Sequence, residues 1–589
     1  MNATRMAVSL VAAMTVALGI QPEIVSAAHG PPLATTGGAV AADDPTASAI
    51  GARILAEGGT AADAAVATVL ALGVVNPVSS GIGGGGFAVV YDAGTHRTHG
   101  YDFREVAPAA LDPTDFVIDG KLDPVRARVG GLAVGVPGEI AGLRMLSERH
   151  GRLTWRRVVT PAAGLAQGGL PTPWFLASRA PDVLPNLPAA APFQAVRDFL
   201  APGGVMRQWG DPLVRPALAR TLLAIAADPG AFYRGPIADD IAATAAAAGG
   251  VITAADLAAY QVVEREPMVG RWRGLTLATM PLPSSGGVVL LEALGILDRT
   301  GIDLAAMGSG SAAAFHVIAE LEKHGFADRA RLLGDSDAAR AAAAGLLDDA
   351  RLKRLAALVA LDHTQPLASY GGDAPLPRPG PASRPTPTPL PTTRAPGLGG
   401  TSHVCVIDRD GNAVALTTTV NGYLGSKLMA AGGFVLNNQM DDFSLGPDVA
   451  NGFDLVQSND NLVGPGKRPL SSMTPLLVFD GDRVVGCLGG SGGPRIISNV
   501  LQVFLGVYAF GLDPRAAVEA PRIHHQWSPD VLTVEAEVAP EVRAALALRG
   551  HKVIVSEAPT AVQMIRVRAD GVREAASDPR KNGAPAIAP

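Results

Sequence analysis

Between residues 397 and 421 the chain reads "GLGGTSHVCVIDRDGNAVALTTTVN": the pair Gly399–Gly400 runs into Thr401, and Thr419 and Asn421 follow one hairpin later. A threonine released from the residue before it can do chemistry that an internal threonine cannot. If the Gly400–Thr401 bond is cut, Thr401 carries a free α-amine beside its own hydroxyl. That amine, with an ordinary pKa of about 7.7–8.0, can act as general base on the hydroxyl at neutral pH without a histidine. The hydroxyl can also make the cut itself, by adding to the Gly400 carbonyl carbon and forming an ester that water opens. Glycine before the bond tolerates the strained backbone this requires. The plain alternative is a linker joined to an ordinary strand threonine, because the proline-rich stretch Ala374–Pro396 just upstream is expected to be extended and solvated in either case.

The hairpin decides which side chains meet Thr401. "DRDGN" between two apolar runs is a turn signal, and two registers are open. A two-residue Asp410–Gly411 turn sets Val420 opposite Thr401. A three-residue Arg409–Asp410–Gly411 loop, with Gly411 left-handed, sets Thr419 opposite Thr401 and Asn421 on the same face. The second register is favoured because it gathers the hydroxyls and the amide at one end.

Three later stretches bring further polar chemistry. "LNNQMDDFS" (436–444) packs Asn437, Asn438, Gln439, Asp441 and Asp442 too densely for a core strand. "GKRPLSSMTP" (466–475) offers the paired hydroxyls Ser471 and Ser472, and "GGSGGPRI" (489–496) ends a strand in Gly492 and Gly493, whose consecutive N–H groups can aim at an oxyanion. Each alone could be a turn; together they supply a nucleophile, polar recognition and an oxyanion site.

The elements that must position these groups follow from punctuation and periodicity. Asp44-Pro45 opens a helix closed by Gly58-Gly59, and Thr60 with Asp63 forms a capping box for a second helix through about Gly73. "GIGGGGF" then leads into a strand rather than a helix and lacks a following Lys-Ser/Thr. It therefore reads as backbone passing close to backbone, not as a phosphate loop. A second strand ends in "GYDFREVAP", with Arg104 at its end. Residues 130–370 read as an alanine-rich helical scaffold, including helices at 282–298 and 314–335, and name no chemistry. Beyond the proline-rich segment the text turns to strands, with one helical span near 494–510, so the sheets of a layered α/β body should draw on both parts.

Composition bounds the remaining options. The 589-residue chain has 48% hydrophobic residues and a net charge of -6, which supports a large core and argues against nucleic acid as a partner. Arg5, the apolar run Met6–Ile20 and the small residues at 25–27 have the layout of a secretory signal peptide over residues 1–27. Export to a bacterial periplasm or the medium is expected, with no membrane span left afterwards. Cys405 and Cys487 lie in apolar runs and are expected as buried free thiols. The histidines show no metal-ligand spacing, and no metal or cofactor is expected.

At this length the motifs resemble a known family. "TSHVCVIDRDGNAVALTTTVN", "LNNQMDDFS", "GKRPLSSMTP", "GGSGGPRI", "APRIHHQW" and "ASDPR" resemble the small subunit of gamma-glutamyltransferases, and "GIGGGGF", "DFREVAP", "PSSGG" and "EKHGFADRARLLGD" resemble their large subunit. The resemblance implies an N-terminal-nucleophile hydrolase fold, a four-layer αββα sandwich. It also implies self-cleavage at Gly400–Thr401 into a 28–400 large subunit, with a flexible 374–400 tail, and a 401–589 small subunit that stay together as a heterodimer. Carried over by motif, Thr401 is the nucleophile, Thr419 orients it, and Gly492 and Gly493 form the oxyanion hole. Arg104 would take the substrate α-carboxylate with Ser471 and Ser472, while Asn421, Gln439 and Asp442 would hold the α-ammonium. The implied reaction passes a γ-glutamyl group from glutathione or another γ-glutamyl amide, through a threonyl ester, to water or to an amino acid or peptide. The alternatives are an acylase of the same fold, similar to cephalosporin acylases, and a non-catalytic scaffold. The segment 446–456 occupies the place of a loop covering the glutamate pocket in some relatives, with Phe453 where an aromatic is common. His403, His524 and His525 read as buried structural histidines.

Overall fold

The structure, a computed structural model, describes residues 31–372, 399–447, 449–556 and 560–589. The leader expected over residues 1–27, and residues 374–398 of the tail, lie outside the described residues. Residues 33–589 form one compact unit.

Two seven-stranded antiparallel sheets stack at its centre. The first runs, in spatial order, Ala584–Ile587, Ala39–Ala42, Gly400–Ile407, Ala413–Asn421, Gly85–Asp92, Arg97–Phe103 and Val263–Arg265. The second runs Leu33–Thr35, Arg573–Ser577, Ala561–Val567, Arg483–Ser491, Leu476–Asp480, Leu275–Thr279 and Met268–Trp272. Both sheets draw strands from before and after residue 400, as expected. The alanine-rich middle region also contributes strands, Val263–Arg265, Met268–Trp272 and Leu275–Thr279, which a purely helical reading misses. They are short and edge-proximal, and their alternation carries little apolar signal because one face of each is partly exposed.

Alternation along the central strands explains the layering. Ala39, Ala41, Phe87, Val89, Cys405, Ile407, Ala413 and Ala415 point toward the second sheet and pack with Leu477, Cys487, Met564 and Ile565. Their neighbours Val40, Ala88, Val404, Val406, Val414 and Leu416 point the other way, onto the helices Ala61–Val75, Glu139–His150 and Trp155–Gly168. The helices Gly286–Thr300 and Arg495–Tyr508 cover the far face of the second sheet. The order helix, sheet, sheet, helix is a four-layer αββα sandwich. Because strands 400–407 and 413–421 are covered on both faces, every residue in them is buried. That is why their ends nearer the turn, Val404–Ile407 and Ala413–Leu416, read as continuous apolar runs.

Local signals are realised. The Asp44 carboxylate accepts from the N–H groups of Thr46 and Ala47 at the start of helix Pro45–Ala56, and Thr60 and Asp63 form the reciprocal capping box of Ala61–Val75. The glycine run 83–86 performs the close approach expected of it. A Cβ on Gly84 would sit 1.9 Å from the Thr419 carbonyl oxygen, and one on Gly86 would sit 2.0 Å from that of Thr417. The helix expected from 282 starts at Gly286, after the turn that carries Ser284 and Ser285.

Candidate active site

The 409–411 loop takes the three-residue form, with Gly411 at φ 90°, and Thr401 pairs with Thr419 in the ladder. The ladder breaks at the next step. Gly400 pairs with Asn421, so the register shifts between Gly400 and Thr401 and Val420 bulges out. Val420 bonds elsewhere: its N–H donates to the Ser79 carbonyl and its carbonyl accepts from the Asn438 N–H. The bond between Gly400 and Thr401 thus lies at a bulge between two fully buried strands, and the strand begins one residue earlier than expected, at Gly400.

The hydroxyls here form a directed chain. The Thr419 Oγ1 accepts from the Asn421 N–H at 2.8 Å and donates to the Gly400 carbonyl oxygen at 2.6 Å. It lies 2.9 Å from the Thr401 Oγ1. A hydroxyl carries one hydrogen, and that of Thr419 is committed to Gly400. The Thr401 hydroxyl is therefore the donor in the threonine pair. Protons can pass from Thr401 to Thr419 and from Thr419 to the Gly400 oxygen.

One cavity gathers Thr401 and Thr419 with Arg104, Asn421, Gln439, Asp442, Ser471, Ser472 and Gly493, all of them expected site residues. Gly492 does not line the cavity; it lies against Gly399, on which a Cβ would come within 2.9 Å of the Gly492 Cα. Gly492 and Gly493, at φ 133° and 61°, make the tight passage from strand Arg483–Ser491 into helix Arg495–Tyr508. A side chain on Gly493 would strike the Phe453 ring at 2.6 Å.

Opposite charges line the cavity. Arg104, 1% exposed, donates through Nη2 to the Asp442 Oδ2 and through Nε to the Pro469 carbonyl at 3.3 Å. Gln439 Nε2 donates to the same Asp442 oxygen at 2.6 Å, while its buried Oε1 accepts from no group among the described residues. Burial pushes the Asp442 carboxyl above its ordinary range, and the Arg104 guanidinium opposes that shift. Asn421 Nδ2 donates to the Asn438 carbonyl, and Ser471 Oγ accepts from the Met473 N–H. Beside Arg104, the Glu105 carboxyl is pushed up to about 7, first by burial and then by Asp442 and Asp102, against the pull of Arg104.

Two contributions escaped the sequence reading. Arg329, in helix Ala312–Leu332, lines the cavity and, among the described residues, bonds only neutral groups: Ser285 Oγ at 3.0 Å, Gln457 Oε1 at 3.3 Å and Ser472 Oγ at 3.4 Å. The middle region is thus more than a scaffold; it places a second guanidinium in the pocket. The available signal was a buried arginine within an otherwise apolar helix face, "GFADRARL". The other is Lys581, whose Nζ donates to the Gly399 and Thr401 carbonyls.

The 446–456 segment closes one side of the cavity through Phe453 and Leu455. It is tied down by Asp441, which accepts from Gly452 N–H and pairs with Arg128 at 3.0 Å, and by Asn451, whose Oδ1 accepts from the Phe453 and Leu455 N–H groups. Residue 448 lies outside the described residues. His403 bonds Thr417 Oγ1 and Cys405 Sγ between the sheets, and burial pushes its imidazole down to about 3. His524 bonds Ser498 and Gln526; neither it nor His525 lines the cavity. Cys405 and Cys487 are free and buried, as expected.

A strand-borne threonine at the junction of a stacked αββα sandwich defines the N-terminal-nucleophile hydrolase type of fold. Comparison with known proteins narrows this. A family model for gamma-glutamyltranspeptidase matches residues 47–588, and the chain belongs to that family of enzymes. The glutathione hydrolase proenzyme of Escherichia coli is 39% identical over 556 residues, covering 93% of this chain and 91% of its own. The proenzyme of that name from Pseudomonas aeruginosa is 39% identical over 580 residues, covering 97% and 98%. Among solved structures, cephalosporin acylase from Bacillus halodurans superposes with a TM-score of 0.81 at 26% identity, covering 96% of this chain and 99% of its own. Among the described residues, no helix is long and apolar enough to cross a membrane.

Proposed function

We propose that the chain is a proenzyme that cleaves itself between Gly400 and Thr401 and then, as a two-subunit enzyme, transfers or hydrolyses γ-glutamyl groups of glutathione and related amides. The observation that carries this reading is the Thr401–Thr419 hydroxyl pair, with Thr419 bonded to the Gly400 oxygen, at the floor of a cavity walled by Arg104 and Asp442. In the first reaction Thr401 Oγ1 adds to the Gly400 carbonyl carbon. Its proton moves to Thr419, and the Thr419 proton moves to the Gly400 oxygen. Collapse breaks the C–N bond as the proton on the Gly400 oxygen passes to the leaving nitrogen, leaving Gly400 esterified to Thr401 Oγ1 and the nitrogen as a free amine. Water then opens the ester and releases the Gly400 carboxylate.

In the second reaction the new α-amine is the base for Thr401 Oγ1, which attacks the γ-carbonyl of the substrate. Arg104, with Ser471 and Ser472, takes the α-carboxylate; Asp442, the free Gln439 oxygen and Asn421 take the α-ammonium. Gly492 and Gly493 N–H groups stabilise the oxyanion once residues 399–400 have withdrawn from the glycine turn. The amine of the donor leaves, and water or an amino acid attacks the γ-glutamyl ester. The paired Arg104 and Asp442 favour a free amino acid end over the other amides an acylase of this fold could take. The signal-type leader at 1–27 supports export, with the large subunit starting near residue 28.

The test is a denaturing gel with N-terminal sequencing. Two fragments are expected, the smaller beginning at Thr401, together with turnover of γ-glutamyl-p-nitroanilide. A single chain that persists would refute self-cleavage. Two fragments without γ-glutamyl turnover would favour the acylase.

A further inference from the structure

One charged side chain beside the Gly400–Thr401 bond has no part in that mechanism. Lys581 sits in the short turn Pro579–Lys581 near the end of the chain, 1% exposed. Its Nζ donates to the Gly399 carbonyl at 3.3 Å and the Thr401 carbonyl at 3.0 Å. With Thr419 holding the Gly400 oxygen, three consecutive carbonyls are gripped, the outer two by one ammonium. We propose that Lys581 is a positioning residue for self-cleavage: it fixes the 399–400 and 401–402 peptide planes, which flank the Gly400–Thr401 peptide, so that this peptide alone bends toward the Thr401 hydroxyl. This rests on the self-cleavage reading above and deepens it.

The direct partners of the ammonium, the two carbonyls, point to a positioning role. Among the described residues, no carboxylate lies within 4 Å of the Lys581 ammonium. Asp43 and Asp578 act on it electrostatically from beyond ion-pair distance, and each has a closer partner of its own. Asp578 binds Arg522 at 2.7 Å and Arg580 at 3.1 Å, and the Asp43 Oδ1 accepts from Gln563 at 2.6 Å. Arg179 adds like charge, and the nearest ring is that of Phe175, 5.2 Å away. Burying an ammonium without a close counter-ion is unfavourable, and a neutral side chain would pack there at lower cost. The two carbonyls it binds flank the bond to be cut. Attack turns the Gly400 carbon tetrahedral, and the adjoining planes would rotate with it unless held. Holding them keeps Thr401 Oγ1 in line with the carbon. The turn itself is rigid, because the Asp578 carboxylate also accepts from the N–H groups of Arg580 and Val562.

The charge has a pH signature. Burial pushes the Lys581 ammonium down to about 8, with Arg179 adding to the shift and Asp43 and Asp578 opposing it. The Asp43 carboxyl, pushed up to about 6 first by burial, is ionised above that pH. The clamp is therefore charged below about pH 8 and loses its charge as pH rises through about 8.

The test follows conversion of freshly synthesised full-length precursor into two fragments from pH 6 to 10. Wild type should slow above pH 8. Lys581→Arg, which stays charged throughout, should cleave without that alkaline fall. Lys581→Met should cleave at least about tenfold more slowly at pH 7 with an unchanged melting temperature. Wild-type speed in Lys581→Met, or the same alkaline fall in Lys581→Arg, would overturn the proposal. If Lys581→Met does not fold, the comparison of Lys581→Arg with wild type decides alone. A wild-type chain that stays intact at every pH would instead bring down the self-cleavage reading, and this proposal with it.

Discussion

Replacing Thr419 by valine removes a single oxygen while keeping the β-branched shape, and the structure states what that oxygen does. It accepts from Asn421 N–H, donates to the Gly400 carbonyl oxygen and receives the Thr401 hydroxyl proton. Losing the donor to the developing Gly400 oxyanion should slow self-cleavage by about 10²–10³, the usual effect of deleting one such donor. The proton route from Thr401 to the Gly400 oxygen is lost as well, so the slowing should reach the upper part of that range. The fold pays less. Asn421 N–H loses its acceptor in a buried site, which costs about 1–3 kcal/mol. In a two-sheet core of this size that is a shift in melting temperature, not unfolding. Thr419→Ser, which keeps the oxygen, should recover most of the rate. The assay is a gel time course of precursor conversion after synthesis, with far-UV circular dichroism as control. A folded Thr419→Val chain maturing as fast as wild type would refute the hydroxyl chain as the route of cleavage.

Other expectations follow from the same geometry. Thr401→Ala should remain one uncut chain on a denaturing gel and show no γ-glutamyl turnover. Arg104→Ala, in protein that still matures, strands Asp442 without its guanidinium and should weaken donor binding by about 30- to 1000-fold, read as KM for γ-glutamyl-p-nitroanilide. Gly84→Ala should abolish accumulation of folded protein, since its Cβ would meet the Thr419 carbonyl oxygen at 1.9 Å; ordinary soluble expression would contradict that close approach. Burial pushes the Glu139 carboxyl up to about 8, so the stability of its neutral form is present below about pH 4.5 and lost as pH rises through 8. Glu139→Gln should therefore gain on wild type across that window, by roughly 3–5 kcal/mol at its alkaline end, measured as the difference in urea midpoints at pH 5 and pH 8.5.

Much of this molecule is legible in its sequence, because its strongest signals are local. Asp44-Pro45, the Thr60–Asp63 box and the Arg409–Gly411 loop involve partners within a few residues, so side-chain chemistry alone determines them. The register of that loop placed Thr419 against Thr401, since strand periodicity carries a turn's geometry to the far end of a hairpin. The motifs also named most of the cavity wall, from Arg104 to Ser472.

Tertiary structure decided what depends on long-range packing. The bulge at Val420 exists because Ser79 and Asn438, distant in sequence, take that residue's backbone bonds. Arg329 and Lys581 reach the site from a helix and a chain-terminal turn, 72 and 180 residues from Thr401 respectively (401 − 329 and 581 − 401), and no spacing rule links them to it. Gly399 of the uncut chain packs closely against Gly492, a contact between residues 93 positions apart (492 − 399). The nucleophile and its hydroxyl partner were thus written in one hairpin. How the bond before that nucleophile is gripped depends on elements that meet only when two sheets close on each other and bury the charges between them.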